Sequence, residues 1–191
     1  MELVLIRHGE SVANVLQKTE NGFFCGQWDC ELTETGRSQA RSLKNSEYVK
    51  NADLIFSSPL KRAADTAAAF AGRDIIFDAR LKERSMGVFE GKRKSDLEQI
   101  AEYRKYFTDE RYSGFRSSFT VSAPGGETYS DVVARVSSFL FDLRGGNYKK
   151  VIVVSHYAAI RCLIKVIKGL SEEETVAIKV KQCEPIALEW R

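Results

Sequence analysis

The sequence predicts an α/β fold: a three-layer α/β/α sandwich whose mostly parallel central sheet carries helices on both faces, with an active site at the carboxyl ends of its strands. Three observations point there. Short apolar runs alternate with helical patterns along the whole chain, as when strands lie buried between helical layers. The chain has only two histidines, His8 and His156. Each closes an apolar run, Leu3-Val4-Leu5-Ile6 before one and Val151-Ile152-Val153-Val154 before the other. Two such strand ends can meet at one crevice of an open sheet.

The elements follow in order. Glu2 to Ile6 reads as the first strand. Ala52 to Phe56 reads as a second and runs into Ser57-Ser58-Pro59, where Ser58 can cap and Pro59 can open a helix through Ala71, closed by Gly72. Asp74 to Phe77 is a third strand. Thr128, with Asp131 three residues on, has the form of a capping box. The helix it opens places Val132, Val136, Phe139, Leu140 and Leu143 on one face, and Gly145-Gly146 stops it. The strand Val151 to Val154 precedes a helix with Ile160, Leu163, Ile164 and Ile167 inward and Gly169 as terminator. The tail alternates twice, Val176-Ile178-Val180 and Ile186-Leu188-Trp190, and predicts two strands at a sheet edge. Between these parts, residues 92–123 are dense in charge and aromatics; they predict a helix from Ser95 to Phe107 followed by a loop, together forming a lid.

Composition narrows the class. The 191 residues suit one domain spanning 1–191. A net charge of +3 is too small to argue for nucleic acid or a membrane surface. No apolar stretch reaches the ~18 residues of a membrane helix, and no signal peptide is evident, so the expected location is cytoplasmic. The four cysteines show no zinc-binding spacing; Cys162 and Cys183 read as free thiols.

At the end of the first strand stands Arg7-His8-Gly9-Glu10-Ser11, with Asn14 one turn later. An arginine fork binds phosphate oxygens bidentately, an imidazole can attack phosphorus, and glycine permits close approach. Ser11 and Asn14 add donors at the start of the next helix. Arg62, in the first turn after Ser57-Ser58-Pro59, is placed as a second clamp. Glu83 and His156 follow other strands. No metal is required of such a set, since its cations can neutralise a transferring phosphoryl group.

The run Leu5-Ile6-Arg7-His8-Gly9-Glu10-Ser11 with Asn14 resembles the signature of the histidine phosphatase superfamily, the phosphoglycerate mutase-like proteins. The resemblance extends through Gly26-Gln27-Trp28-Asp29, Leu32-Thr33-Glu34-Thr35-Gly36, Ser57-Ser58-Pro59-Leu60-Lys61-Arg62-Ala63, Glu83 with Gly87-Val88-Phe89-Glu90-Gly91, Pro124-Gly125-Gly126-Glu127-Thr128 and Val154-Ser155-His156. It implies that His8 is transiently phosphorylated, that Arg7, Arg62 and His156 complete the phosphate pocket, and that Glu83 protonates the leaving oxygen. It implies no cofactor.

Three departures bear on substrate. Tyr157 follows the second histidine where many members carry a small residue. Cys25 precedes Gly26 where mutases usually have a hydroxyl, and Met86 replaces a mutase tyrosine. Cys25, Gly26 and Tyr157 are therefore expected at the substrate. The expected function is a phosphomonoesterase acting on a small phosphorylated metabolite, on the phosphatase branch. The alternatives are a phosphoglycerate mutase-type phosphotransferase, a phosphoprotein-directed phosphatase or a phospho-ligand-binding member. No nucleic acid or membrane partner is expected, and a homodimer is left open.

Overall fold

The computed structural model describes residues 1–19 and 22–190. Its strands are β1 (Glu2–Arg7), β2 (Phe23–Phe24), β3 (Leu54–Ser57), β4 (Ile76–Phe77), β5 (Lys92–Arg93), β6 (Lys150–Ser155) and β7 (Ile186–Glu189). The main helices are α1 (Val12–Gln17), α2 (Glu34–Ser42), α3 (Lys61–Ala68), α4 (Lys94–Glu98), α5 (Ala101–Thr108), α6 (Tyr129–Arg144), α7 (Tyr157–Lys168) and α8 (Glu172–Ala177). Five strands form the central sheet in the order β4-β3-β6-β1-β7. All neighbours run parallel except β7, which lies antiparallel on β1.

The unbroken apolar runs of β1 and β6 explain their central places, because a strand covered on both faces has no polar side to show. Successive side chains point to opposite faces. Leu3, Leu5, Val151 and Val153 pack with Val136, Phe139 and Leu140 of α6 and Ile160 and Leu163 of α7. Val4, Ile6, Ile152 and Val154 pack on the other side with Ala63 and Ala67 of α3. The register sets Ile6 beside Val154 and Arg7 beside Ser155, so β1 and β6 end level.

Local chemistry ends the helices as expected in two places. Thr128 and Asp131 form the capping box of α6, and Gly169 closes α7 in the left-handed conformation, φ 66°, where a side chain would be strained.

Elsewhere the structure corrects the expectation. The α3 helix begins at Lys61 after Leu60 and ends at Ala68, so Pro59 precedes it and Gly72 does not close it. Ser58 does not cap it because its buried hydroxyl is held by His156 and by the backbone N–H of Leu60. Val176-Ile178-Val180 is not a strand. Ser171 and Glu174 close a capping box that draws Glu172–Ala177 into α8, and this local bonding overrides the apolar alternation.

The expected helix from Ser95 to Phe107 is broken into α4 and α5, with Ile100 extended between them. The break lets Leu97, Tyr103, Tyr106 and Phe107 all reach one apolar cluster around Phe24, Phe89 and Phe115. Most aromatics of the 92–123 segment thus fill a small core of their own. The β2–β5 pair ties this core to the main body as a separate two-stranded sheet.

Among the described residues no helix is long and apolar enough to cross a membrane. All four cysteines are free, with Cys183 less buried than the other three.

Candidate active site

Three parallel strands deliver the site. Past the ends of β1 and β3 the backbone keeps its pairing with β6: His8 N–H donates to Ser155 O across 3.0 Å, and Ser58 N–H to Val154 O across 3.0 Å. This places the His8 and His156 rings with centroids 5.0 Å apart. Both imidazoles are buried.

His8 Nδ1 lies 2.7 Å from Gly9 O. A carbonyl only accepts, so Nδ1 carries the proton and Nε2 keeps its lone pair. Burial first, then the Arg62 and Arg7 cations, hold the His8 pKa well below the ordinary value, and the ring stays neutral at physiological pH. His156 is likewise held down by burial, with Arg62 the next cause. Its Nε2 lies 2.8 Å from Ser58 Oγ, which already accepts from Leu60 N–H. When the hydroxyl turns its hydrogen to Nε2, the ring proton of His156 falls on Nδ1. Among the described residues, His156 Nδ1 and Arg7 Nε are the buried side-chain nitrogens without a hydrogen-bond partner.

The two arginines are fixed by backbone carbonyls. Arg62, 1% exposed, donates through Nη1 to Trp28 O and through Nη2 to Gly26 O, each across 2.9 Å. Arg7 donates through Nη1 to Val180 O at 2.9 Å, and its Cζ stands 4.8 Å from the Tyr157 ring centroid. Burial lowers the Arg7 pKa, with Glu83 opposing. Glu83 is half-buried, and its Oε1 accepts from Arg84 N–H at 2.8 Å and from Ala158 N–H, in the first turn of α7, at 3.1 Å.

A cavity of about 370 Å³ joins these groups, a size suited to a small ligand. Arg7, His8, Asn14, Cys25, Gly26, Arg62, Glu83 and Tyr157 line it, as the sequence led one to expect. His156, wholly buried beside His8, is not part of that wall. Ser11 is also absent from it, for its hydroxyl donates to Asn14 Oδ1 at 2.9 Å and caps α1. Asn14 Oδ1 further accepts from Gln182 Nε2 at 2.8 Å, which leaves the Asn14 amide nitrogen as its remaining polar group. Tyr157 contributes its ring rather than a free hydroxyl: Arg161 Nη2 donates to that hydroxyl at 2.6 Å, and Arg161 Cζ lies 4.2 Å from the ring centroid.

Sequence reasoning missed Gln17, Arg84, Arg116, Ser117 and Tyr129, which also line the cavity. Arg116 and Ser117 are the only wall residues from the 92–123 segment, and Arg116 Cζ is 4.1 Å from the Phe24 ring centroid. The basic character of that segment was visible, but which of its arginines turns inward depends on the aromatic core beneath. Arg84 is buried and donates to Glu127 O at 2.8 Å; its place beside Glu83 was the available signal. Among the described residues no three His, Cys, Asp or Glu side chains are grouped to hold a metal ion.

A 2,3-bisphosphoglycerate-dependent phosphoglycerate mutase of Mesorhizobium japonicum is 33% identical over 198 residues, covering 96% of this chain and 89% of its own. The crystal structure of the alpha-ribazole phosphatase from Shigella flexneri superposes with a TM-score of 0.82 at 27% identity, over 99% of this chain and 90% of its own. A mycobacterial glucosyl-3-phosphoglycerate phosphatase in complex with VO3 gives a TM-score of 0.81 at 26% identity, over 98% and 92%. Residues 3–191 match the histidine phosphatase superfamily, branch 1. With that match spanning nearly the whole chain and phosphatases among its structural neighbours, the protein belongs to the histidine phosphatase superfamily and is a phosphatase-type enzyme.

Proposed function

We propose that the protein is a metal-independent phosphomonoesterase of small phosphorylated metabolites, acting through a phosphohistidine on His8. The observation that carries this reading is the hydrogen bond from His8 Nδ1 to Gly9 O. It leaves Nε2 as an unprotonated nucleophile beside two arginines. Nε2 attacks phosphorus and the ester oxygen departs with a proton from Glu83. Water then attacks the phosphohistidine, with the Glu83 carboxylate taking up the proton released. Arg7 and Arg62, both in the cavity wall, are the donors for the phosphoryl oxygens, with the buried His156 ring packed beside His8, so the charge developing there meets fixed cations and no metal is called for.

The phosphatases and the mutase among the relatives support phosphate-ester chemistry and leave the acceptor to be decided. Tyr157 and Met86 both stand in the cavity wall, and a volume of about 370 Å³ supports a compact substrate. The test is release of phosphate from a generic aryl phosphate with a chelator present, and capture of an acid-labile, alkali-stable phosphoenzyme. Both are expected in the parent and neither in His8→Ala. Turnover that survives in His8→Ala, or that the chelator abolishes, contradicts the mechanism. Isomerisation of 3-phosphoglycerate, measured alongside, separates hydrolase from mutase.

A further inference from the structure

Glu90 does not line the cavity, and no step of the mechanism passes through it. Its half-buried side chain nonetheless joins two segments that shape the site. A single carboxylate oxygen, Oε1, accepts from Gln27 N–H at 2.9 Å, from Met86 N–H at 2.8 Å and from the Ser85 hydroxyl at 3.0 Å. Gln27 sits in the turn whose carbonyls, Gly26 O and Trp28 O, hold the Arg62 guanidinium. Ser85 and Met86 follow Glu83 and Arg84 in the segment that carries the proton donor. Gln27 adds a second tie by donating its side-chain amide to Glu83 O at 3.0 Å.

We propose that Glu90 is a positioning residue for phosphoryl transfer: its carboxylate sets the distance between the Arg62 clamp and the Glu83 proton donor. The inference rests on the roles given above to those two residues. Glu90 is itself anchored on both sides. Phe89 is wholly buried in the aromatic cluster with Phe24 and Phe115, and Gly91 N–H donates to Phe24 O at 2.8 Å. The Ser85 hydroxyl accepts from Gly87 N–H, which leaves its hydrogen to point at Glu90.

The Arg62-holding turn is seated directly on this carboxylate. A methyl group on Gly26 would stand 2.6 Å from Glu90 Oε1 and 2.9 Å from Met86 Cγ, and Gly26 has φ 51°. Glycine alone meets both demands without strain. All three donors to Oε1 are neutral and two are backbone N–H groups, so what the carboxylate fixes is the position of the chain. Clamp and acid must reach one phosphoryl group together, and a displacement of ~1 Å can cost ~10²-fold in rate.

The full chain and its Glu90→Ala, Glu90→Asp and Glu90→Gln variants are compared at a temperature where circular dichroism shows each folded. The glutamine amide oxygen can accept the same three bonds, whereas aspartate is one methylene short. Glu90→Ala and Glu90→Asp are expected to lower kcat for an aryl phosphate ~10–10²-fold. An alkyl phosphate should lose several-fold more, because Glu83 is displaced. The calorimetric Kd for inorganic phosphate should rise about ten-fold, because Arg62 is displaced. Glu90→Gln should recover most of each loss. A glutamate that only supports the fold would lower the urea midpoint and leave the ester ratio and phosphate affinity of the folded variants at parental values, and that result overturns the proposal. Glu90→Gln as impaired as Glu90→Ala also overturns it. Glu90→Asp retains the charge and carries the same test should Glu90→Ala fail to fold. Phosphate binding is read without turnover. A parent that binds phosphate but hydrolyses no ester therefore refutes the phosphatase reading, whereas parental phosphate affinity in folded Glu90→Ala and Glu90→Asp refutes this one.

Discussion

A methyl group on Gly9 would stand 2.4 Å from the carbonyl oxygen of Gly36, and one on Gly36 would stand 1.9 Å from the carbonyl oxygen of Glu10. The backbone leaving β1 and the first turn of α2 therefore touch without side chains between them. Gly9 is also the residue whose carbonyl fixes the His8 tautomer. Gly36→Ala is expected to cost about 1–3 kcal/mol or more through overpacking and to lower kcat as the Gly9–Glu10 backbone is pushed aside. Urea denaturation and steady-state kinetics on the purified variant check both. Parental values for both would mean that α2 can slide away without consequence.

Glu83 is held by two backbone N–H groups, those of Arg84 and Ala158. Glu83→Gln keeps the shape but has no proton to give as an acid. It should slow an alkyl phosphate ~10²–10⁴-fold, the usual span for general acid catalysis, and an aryl phosphate far less, since that oxygen leaves readily without a proton. Equal losses on the two esters would remove Glu83 from the acid role.

His8 and His156 both have pKa values held well below 6.5 by burial. Below pH 6.5 the unfolded chain takes up protons at these rings that the folded chain refuses, so stability is full above that value and falls as pH drops below it. Each ring contributes up to ~1.4 kcal/mol per pH unit until its folded pKa is reached. Urea midpoints should decline from pH 7 to pH 5, with a shallower decline in His156→Asn. An unchanged slope in that variant would argue that carboxylates alone govern acid stability.

Tyr157 is stacked by two guanidinium groups, those of Arg7 and Arg161. Tyr157→Phe retains both stacks and loses the hydroxyl hydrogen bond from Arg161, a change of about 1 kcal/mol in stability with phosphate affinity near the parental value. Tyr157→Ala also frees Arg7. Competitive inhibition by inorganic phosphate should weaken about ten-fold, the equivalent of ~1.4 kcal/mol. The ratio of the two inhibition constants isolates the stack, and a ratio near one would deny it a role in holding Arg7.

The central sheet was legible because β1 and β6 are unbroken apolar runs, a pattern that admits few alternatives in a chain of alternating elements. The α8 segment was misjudged although Ser171 and Glu174 already spelled a capping box; three alternating apolar residues competed with it and lost to local hydrogen bonding. At the site, the residues on strand ends and first helical turns could be anticipated, since the sheet fixes where they emerge. Arg116 could not, because its direction is set by packing on Phe24 far away in sequence. Ser11 was misread in a milder way: a residue that caps a helix and one that binds an anion look alike until the partner of its hydroxyl is known.

The segment from Ile178 to Cys183 is bonded to the pocket at every turn of its path. Val180 O accepts from Arg7 Nη1, Gln182 Nε2 donates to Asn14 Oδ1, Cys183 N–H donates to Arg7 O, and Ile178 O accepts from Arg161 Nε. Arg7 and Val180, 173 residues apart in sequence, thus meet in one hydrogen bond at the pocket. Loss of this segment would therefore leave Arg7 without its carbonyl partner and Asn14 without the Gln182 donor that orients it.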